Sequence, residues 1–204
     1  MQIMIRILKF DILNEMRKII LFNLMTLDGF FEGENHSIEW HNVDEEFNKF
    51  AVAQLETADT LVFGRITYDM MANYWPTPLA LTDDPIVAQK MNSLAKIVIS
   101  KSLKRFDWEN TIVIRDNIKE QLLQLKQQPG KNIFIFGSAV LTSSILEMNL
   151  IDEYRIMINP VVLGRGKSLF LNIMEKINLK LIDTKVFKSG NVLLYYEPEK
   201  QANQ

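Results

Sequence analysis

The sequence predicts an α/β protein: three layers, with helices on both faces of a mixed, mostly parallel sheet that ends in an antiparallel C-terminal hairpin. Short runs such as "KIILFNLM" (18–25), "TLVF" (60–63), "KIVIS" (96–100) and "NIFIF" (132–136) are almost wholly apolar, as in strands buried on both faces. Segments of helical spacing alternate with them through short connections. The closing strands "YRIMINPVV" (154–162), "KLIDTKVF" (180–187) and "VLLYYE" (192–197) have no helices between them, and Ser189-Gly190-Asn191 supplies a hairpin turn.

Along the chain, residues 1–15 are interrupted by Arg6, Lys9 and Asp11 and lead to no small-residue cleavage site, so a signal peptide does not fit. They are expected to be an extension outside the fold, with an added packed element as the alternative. One domain is expected over 16–197, followed by a tail, 198–204. "TLDGFFEGENHS" (26–37) reads as loop. Asp44 caps a helix whose apolar positions are Phe47, Phe50, Ala51 and Leu55. Residues 67–75 form a helix stopped by Pro76 and Pro78, and residues 84–94 a helix with Pro85 in its first turn. "TIVIR" (111–115) is a strand, Asn117–Gln127 a helix ended by Pro129-Gly130, and a further helix runs from Gly137 to about Met148.

The 204 residues are 48% hydrophobic with a net charge of −2, sufficient for a core and without a basic tract for nucleic acid or an anionic membrane. No apolar run nears the roughly 20 residues of a membrane span. The absence of cysteine removes disulfides, thiolate metal sites and Cys nucleophiles, and fits a cytoplasmic protein.

Ligands of open α/β sheets bind beyond the carboxyl ends of the parallel strands. Two strands here end in glycine directly before a helix, at Phe63-Gly64 and Phe136-Gly137. A helix start offers free N–H groups and the positive end of a dipole, and glycine lets a phosphate come close. Arg65 and Thr67 add a cation and a hydroxyl to the first start, while Ser138 stands beside the amides of Ala139 and Val140 at the second. A third strand ends in Ser100-Lys101. Singly, each is most simply a turn or a surface charge; together they suggest a dinucleotide lying across the sheet edge.

Other motifs are weaker. "GRGKS" (164–168) has Val161 five residues before Gly166, so the P-loop frame is missing. His36 and His41, the only histidines, lie in a polar loop without metal-ligand spacing. Asp44, Glu45 and Glu46 favour a helix start.

The stretches "KIILFNLMTLDGFFEG", "ADTLVFGRITYDMM", "KIVISKSL", "NIFIFGSAVL" and "IDEYRIMINPVVLGRGKSLF" run in an order that resembles the dihydrofolate reductase superfamily. Within it the chain is similar to the reductase domain of bifunctional riboflavin-biosynthesis enzymes. The resemblance covers Arg17 to about Glu197 and implies a dihydrofolate reductase-like fold with an NADPH site. Gly64, Arg65 and Thr67 then match the pyrophosphate turn, Ser100 and Lys101 the segment by the 2′-phosphate, and Gly137, Ser138, Ala139, Val140 and Leu141 the second glycine turn. Leu24, Met25 and the Asp28-Gly29 loop match the segment over the nicotinamide. Gly137-Ser138 replaces a Gly-Gly pair that is often cis in that superfamily, and the cost of a non-proline cis bond argues against one here.

The resemblance implies hydride transfer to a small heterocyclic (pterin- or pyrimidine-like) or carbonyl substrate, with Asp28 and Glu46 as candidate acids, in a homodimer using its C-terminal strands. A non-catalytic nucleotide- or pterin-binding relative and an oligomeric interaction protein are the alternatives.

Overall fold

Eight strands form one sheet, and the apolar runs become its centre. The computed structural model describes residues 16–199, so the expected extension 1–15 lies outside the described residues, as do residues 200–204. In chain order the elements are β1 (Ile19–Thr26), β2 (Phe30–Glu32), α1 (Glu45–Glu56), β3 (Ala58–Gly64), α2 (Arg65–Ala72), α3 (Pro78–Asp83), α4 (Pro85–Ser93) and β4 (Ala95–Ile99). Then follow β5 (Thr111–Ile114), α5 (Ile118–Gln127), β6 (Asn132–Ile135), α6 (Ala139–Glu147), β7 (Glu153–Asn159), β8 (Lys167–Ser168), β9 (Leu179–Val186) and β10 (Val192–Pro198). The sheet order is β5-β4-β3-β6-β1-β7-β10-β9. The pairs from β5 through β7 are parallel, and β10 is antiparallel to both β7 and β9. No helix of the described residues is long and apolar enough to cross a membrane.

Alternate side chains of each central strand enter different cores, as the period of two requires. Ile19, Leu21 and Met25 pack with Leu122 of α5 and with Leu141 and Ile145 of α6. Ile20, Phe22, Leu61, Phe63 and Phe134 pack on the opposite face with Leu55 of α1, Tyr68 of α2 and Met91 of α4. That is the expected three-layer order.

Several local expectations are corrected. α2 begins two residues early and ends at Ala72; Pro78 does not stop it but opens α3, with Thr77 capping the Ala80 N–H. Proline suits a first helical turn, where its missing N–H has no partner to lose. Residues 26–37 are not all loop, because Phe30 and Glu32 pair with Ser168 and Lys167 in the β2–β8 ribbon. β7 ends at Asn159, before Pro160 and short of the expected Val162. β10 runs through Pro198, and the Glu199 N–H donates to Asn178 O, so order continues beyond residue 197.

Two polar arrangements stabilise this frame. Lys96 is 0% exposed, and its Nζ donates to the carbonyls of Met91 (2.9 Å), Asn92 (2.9 Å) and Leu94 (2.7 Å) at the end of α4. It also lies 4.5 Å from the Trp108 ring centroid. Burial pushes its pKa down to about 8, while its three donated hydrogen bonds satisfy carbonyls that a helix end leaves open. Elsewhere, Asn42 Nδ2 donates to Ser189 O (2.9 Å) and Asn191 Nδ2 to Asn42 O (2.7 Å), locking residues 40–42 onto the β9–β10 turn. His41, half-buried in this loop edge-on to Trp40, has its pKa pushed down to about 4 by desolvation.

Replacing Lys96 with Met is expected to strand those carbonyls at a cost of roughly 3 kcal/mol. At about 2–4 °C per kcal/mol for this size, Tm should fall by about 6–12 °C in a thermal melt. His41 generates a pH dependence. Its folded pKa lies below the unfolded 6.5, so the unfolded chain binds the extra proton first. Its contribution is therefore intact above pH 6.5 and is lost as pH falls toward 4, by about 3 kcal/mol at pH 4. Urea unfolding at pH 7, 5.5 and 4 should show a decline that His41→Phe reduces.

Candidate functional site

The site follows from where the crossovers go. All six parallel strands point their carboxyl ends to one edge, and neighbours β1 and β6 leave it in opposite directions. β1 leads to α1 on one face, whereas β6 leads to α6 on the other. Their shared ladder stops at Leu21↔Ile135, while β1 continues along β7 to Thr26↔Asn159. The crevice between β1 and the segment after β6 is thus the topological switch point, where such sheets bind ligands.

The two expected glycine turns meet beside it. The Gly64 N–H donates to Gly137 O (3.2 Å), and a Cβ on Gly64 would lie 2.7 Å from Ser138 Oγ. Gly137 has φ +85°, and the Gly137-Ser138 bond is cis, against the expectation from its cost. α2 starts at Arg65 and α6 at Ala139, and neither N-cap makes a side-chain hydrogen bond. By contrast, Asp44, Thr77 and Asp84 close the starts of α1, α3 and α4; α5, after the edge strand β5, is also uncapped. The structure therefore places two bare helix starts side by side at the switch point, with unpaired N–H groups over Arg65–Thr67 and Ala139–Leu141.

The remaining expected residues are distributed as follows. Arg65 pairs with Asp69 at 3.2 Å along α2 and is half exposed, while Thr67 is buried in the first turn. Val140 is exposed, but Ala139 and Leu141 turn their side chains into the core and offer only backbone. Met25 also joins the core on the α6 side, and Leu24 packs on the opposite one. Ser100 Oγ accepts the N–H groups of Ser102 (3.2 Å) and Leu103 (3.0 Å), so its hydroxyl builds a turn. Arg115 holds the same turn through Ser100 O, Lys101 O and Leu103 O, a role visible in the sequence only as a cation ending "TIVIR". Lys101 is exposed and forms no ion pair among the described residues.

The two candidate acids lie apart. Asp28 accepts from Thr26 Oγ1 (2.6 Å), Gly164 N–H (2.7 Å) and Leu163 N–H (3.2 Å). The Thr26 hydroxyl foremost, then these N–H groups, hold its carboxyl below the usual range, which favours an ionised clamp between two loops over a proton donor. Glu46 Oε2 accepts the Lys188 N–H at 3.0 Å and ties α1 to the C-terminal hairpin.

"GRGKS" belongs to the same loop system: Gly164 meets Asp28, and Lys167 pairs with buried Glu32 at 3.2 Å. Glu32 also bonds His36 Nδ1 at 3.0 Å. No group of three or more His, Cys, Asp or Glu suited to a metal occurs among the described residues.

Asn23 was hidden inside an apolar strand run. It is 5% exposed, its Oδ1 has no hydrogen-bond partner among the described residues, and its Nδ2 lies 3.3 Å from the Cβ position of Gly137. A cleft of about 760 Å³ opens on the opposite edge, between the end of α6, residues 173–178 and Pro198-Glu199. It contains no carboxyl end of a parallel strand and no helix start, so the switch point is the better candidate.

Comparison with known proteins agrees with this architecture. The pattern of the RibD C-terminal domain matches residues 17–195. The uncharacterized protein YyaP of Bacillus subtilis (strain 168) is 38% identical over 186 residues, covering 88% of this chain and 94% of YyaP. A pyrimidine reductase-like protein from Corynebacterium diphtheriae superposes with a TM-score of 0.64 at 15% identity, covering 93% of this chain and 94% of that one. Dihydrofolate reductase from Enterococcus faecalis gives a TM-score of 0.61 at 17% identity, covering 90% and 97%. The order of strands, the paired glycine turns and a pattern match from Arg17 to Tyr195 lead to one assignment: this chain belongs to the RibD C-terminal domain family, on a dihydrofolate reductase-like fold.

Proposed function

We propose that this protein is an NADPH-dependent reductase that delivers a hydride to a small heterocyclic (pterin- or pyrimidine-like) or carbonyl substrate. The observation that carries the reading is the pair of uncapped helix starts joined by the Gly64–Gly137 hydrogen bond at the switch point. Two adjacent starts fit a diphosphate, and the missing side chain at Gly64 lets Ser138 and the start of α6 pack close beside the start of α2. The N–H groups of Arg65–Thr67 and Ala139–Leu141 would hold the pyrophosphate. Arg65 would exchange Asp69 for phosphate, and Lys101 would meet the 2′-phosphate.

Bound NADPH supplies the hydride from its nicotinamide ring. The chain's own work is orientation between β1 and the Gly137 turn, exclusion of water by the β2–β8 ribbon, and proton supply. Glu46 is the acid this reading retains, or a water held in the crevice; Asp28 serves the loop clamp. The reading takes the protein to be cytoplasmic and a homodimer. The dimer surface moves from the interior strands β7 and β10 to the edge strand β9, where Leu181, Ile182 and Val186 are exposed.

The engagement of Asp28 favours a second reading, a relative that binds the dinucleotide without turnover. NADPH absorbance followed across a panel of pterins, pyrimidines and carbonyls separates the two.

Calorimetric titration is expected to give tighter binding of NADPH than NADH. Lys101→Ala should weaken NADPH roughly ten-fold or more and leave NADH nearly unchanged. Arg65→Ala should weaken both through the pyrophosphate. Wild-type protein that binds neither at millimolar concentration overturns the reading.

A further inference from the structure

We infer that Asn23 is the residue that reads the carboxamide of the cofactor's nicotinamide ring, an inference that rests on the NADPH reading above. β1 is otherwise apolar from Ile19 through Phe22, and Asn23 interrupts it two residues beyond Leu21↔Ile135, the last β1–β6 pair. The amide therefore stands where β1 and β6 part, opposite the Gly137 turn rather than within a closed sheet. It faces the α6 side, as the alternation with Leu21 and Met25 requires.

Its environment is built but incomplete. Asn23 Nδ2 and the Phe31 ring each lie 3.3 Å from the point that a Cβ on the positive-φ Gly137 would occupy. Asn23 Oδ1 is buried without a partner among the described residues. Buried polar groups are nearly always satisfied, so an unmet acceptor at a ligand crevice calls for a donor from outside the chain. A second amide meets that need best, since it can donate N–H to Oδ1 and accept from Nδ2 in one planar pair. The nicotinamide ring carries a carboxamide, and the aromatic edge of Phe31 gives its ring an apolar neighbour. Pyrophosphate at the two helix starts and carboxamide at Asn23 would anchor the reactive end from both sides.

The test separates the nicotinamide end from the phosphate end. Calorimetry on the full chain would compare NADP⁺, 2′-phospho-ADP-ribose, which lacks nicotinamide, and 3-acetylpyridine-NADP⁺, which lacks the carboxamide N–H. Asn23→Leu, of similar volume, is expected to lower NADP⁺ affinity roughly ten-fold or more and to leave 2′-phospho-ADP-ribose unchanged. Wild type should prefer NADP⁺ to the acetyl analogue, a comparison that needs no variant and stands if Asn23→Leu does not fold. Equal affinity of wild type for NADP⁺ and the analogue, or unchanged NADP⁺ binding by a folded Asn23→Leu, overturns the assignment while NADP⁺ still binds. Failure of wild type to bind any of the three ligands overturns the NADPH reading itself.

Discussion

The backbone hydrogen bond from Gly64 to Gly137 is the contact on which the site depends. It joins the end of β3 to the turn after β6 just above Val62↔Ile135, where their ladder finishes. Because each strand passes at once into a helix, this one bond brings the starts of α2 and α6 together. Ser138 is packed so closely against Gly64 that a methyl group there would meet its hydroxyl at 2.7 Å. The cores on either face then fix both helix axes, through Tyr68 beneath α2 and through Leu141 and Ile145 beneath α6. Unsatisfied N–H groups and two positive dipole ends are thereby held rigidly around one point, an arrangement suited to an anion of two phosphates.

The cations around that point are held loosely by comparison. Arg65 is tied only to Asp69, and both side chains are nearly half exposed. Exposed pairs of this kind contribute about 0–1 kcal/mol, so exchanging Asp69 for a phosphate costs little. Arg115 differs, because its guanidinium serves three carbonyls and shapes the turn that presents Lys101. Rigid backbone thus fixes the two helix starts, while the cations beside them are exposed surface charges that, on the proposed reading, would turn to a bound phosphate.

The sequence revealed whatever was written in local chemistry. The all-apolar runs around Ile20, Val62 and Phe134 marked strands covered on both sides, and glycine before a helix marked Gly64 and Gly137. Features made by distant partners were not legible. β2 and β8 contribute three and two residues from polar stretches, and their pairing joins Phe30 to Ser168. Pro78 looked like a stop because a proline that ends one helix and one that begins the next have the same letter. Asp28 resembled a free acid because its N–H partners lie 135 and 136 positions later. Asn23 was concealed by its neighbours: one polar residue in an apolar run carries no periodic signal, and its importance lies in the parting of two strands that only topology shows.

The central claim is that a dinucleotide binds where α2 and α6 begin. Amide chemical shifts of ¹⁵N-labelled protein titrated with NADP⁺ test it residue by residue. The account predicts saturable shifts, largest at Arg65–Thr67 and Ala139–Leu141, with smaller ones in the turn at Ser100-Lys101. Shifts confined to the opposite edge, around Leu146–Asn149 and residues 173–178, or a spectrum that NADP⁺ leaves unchanged, would contradict it.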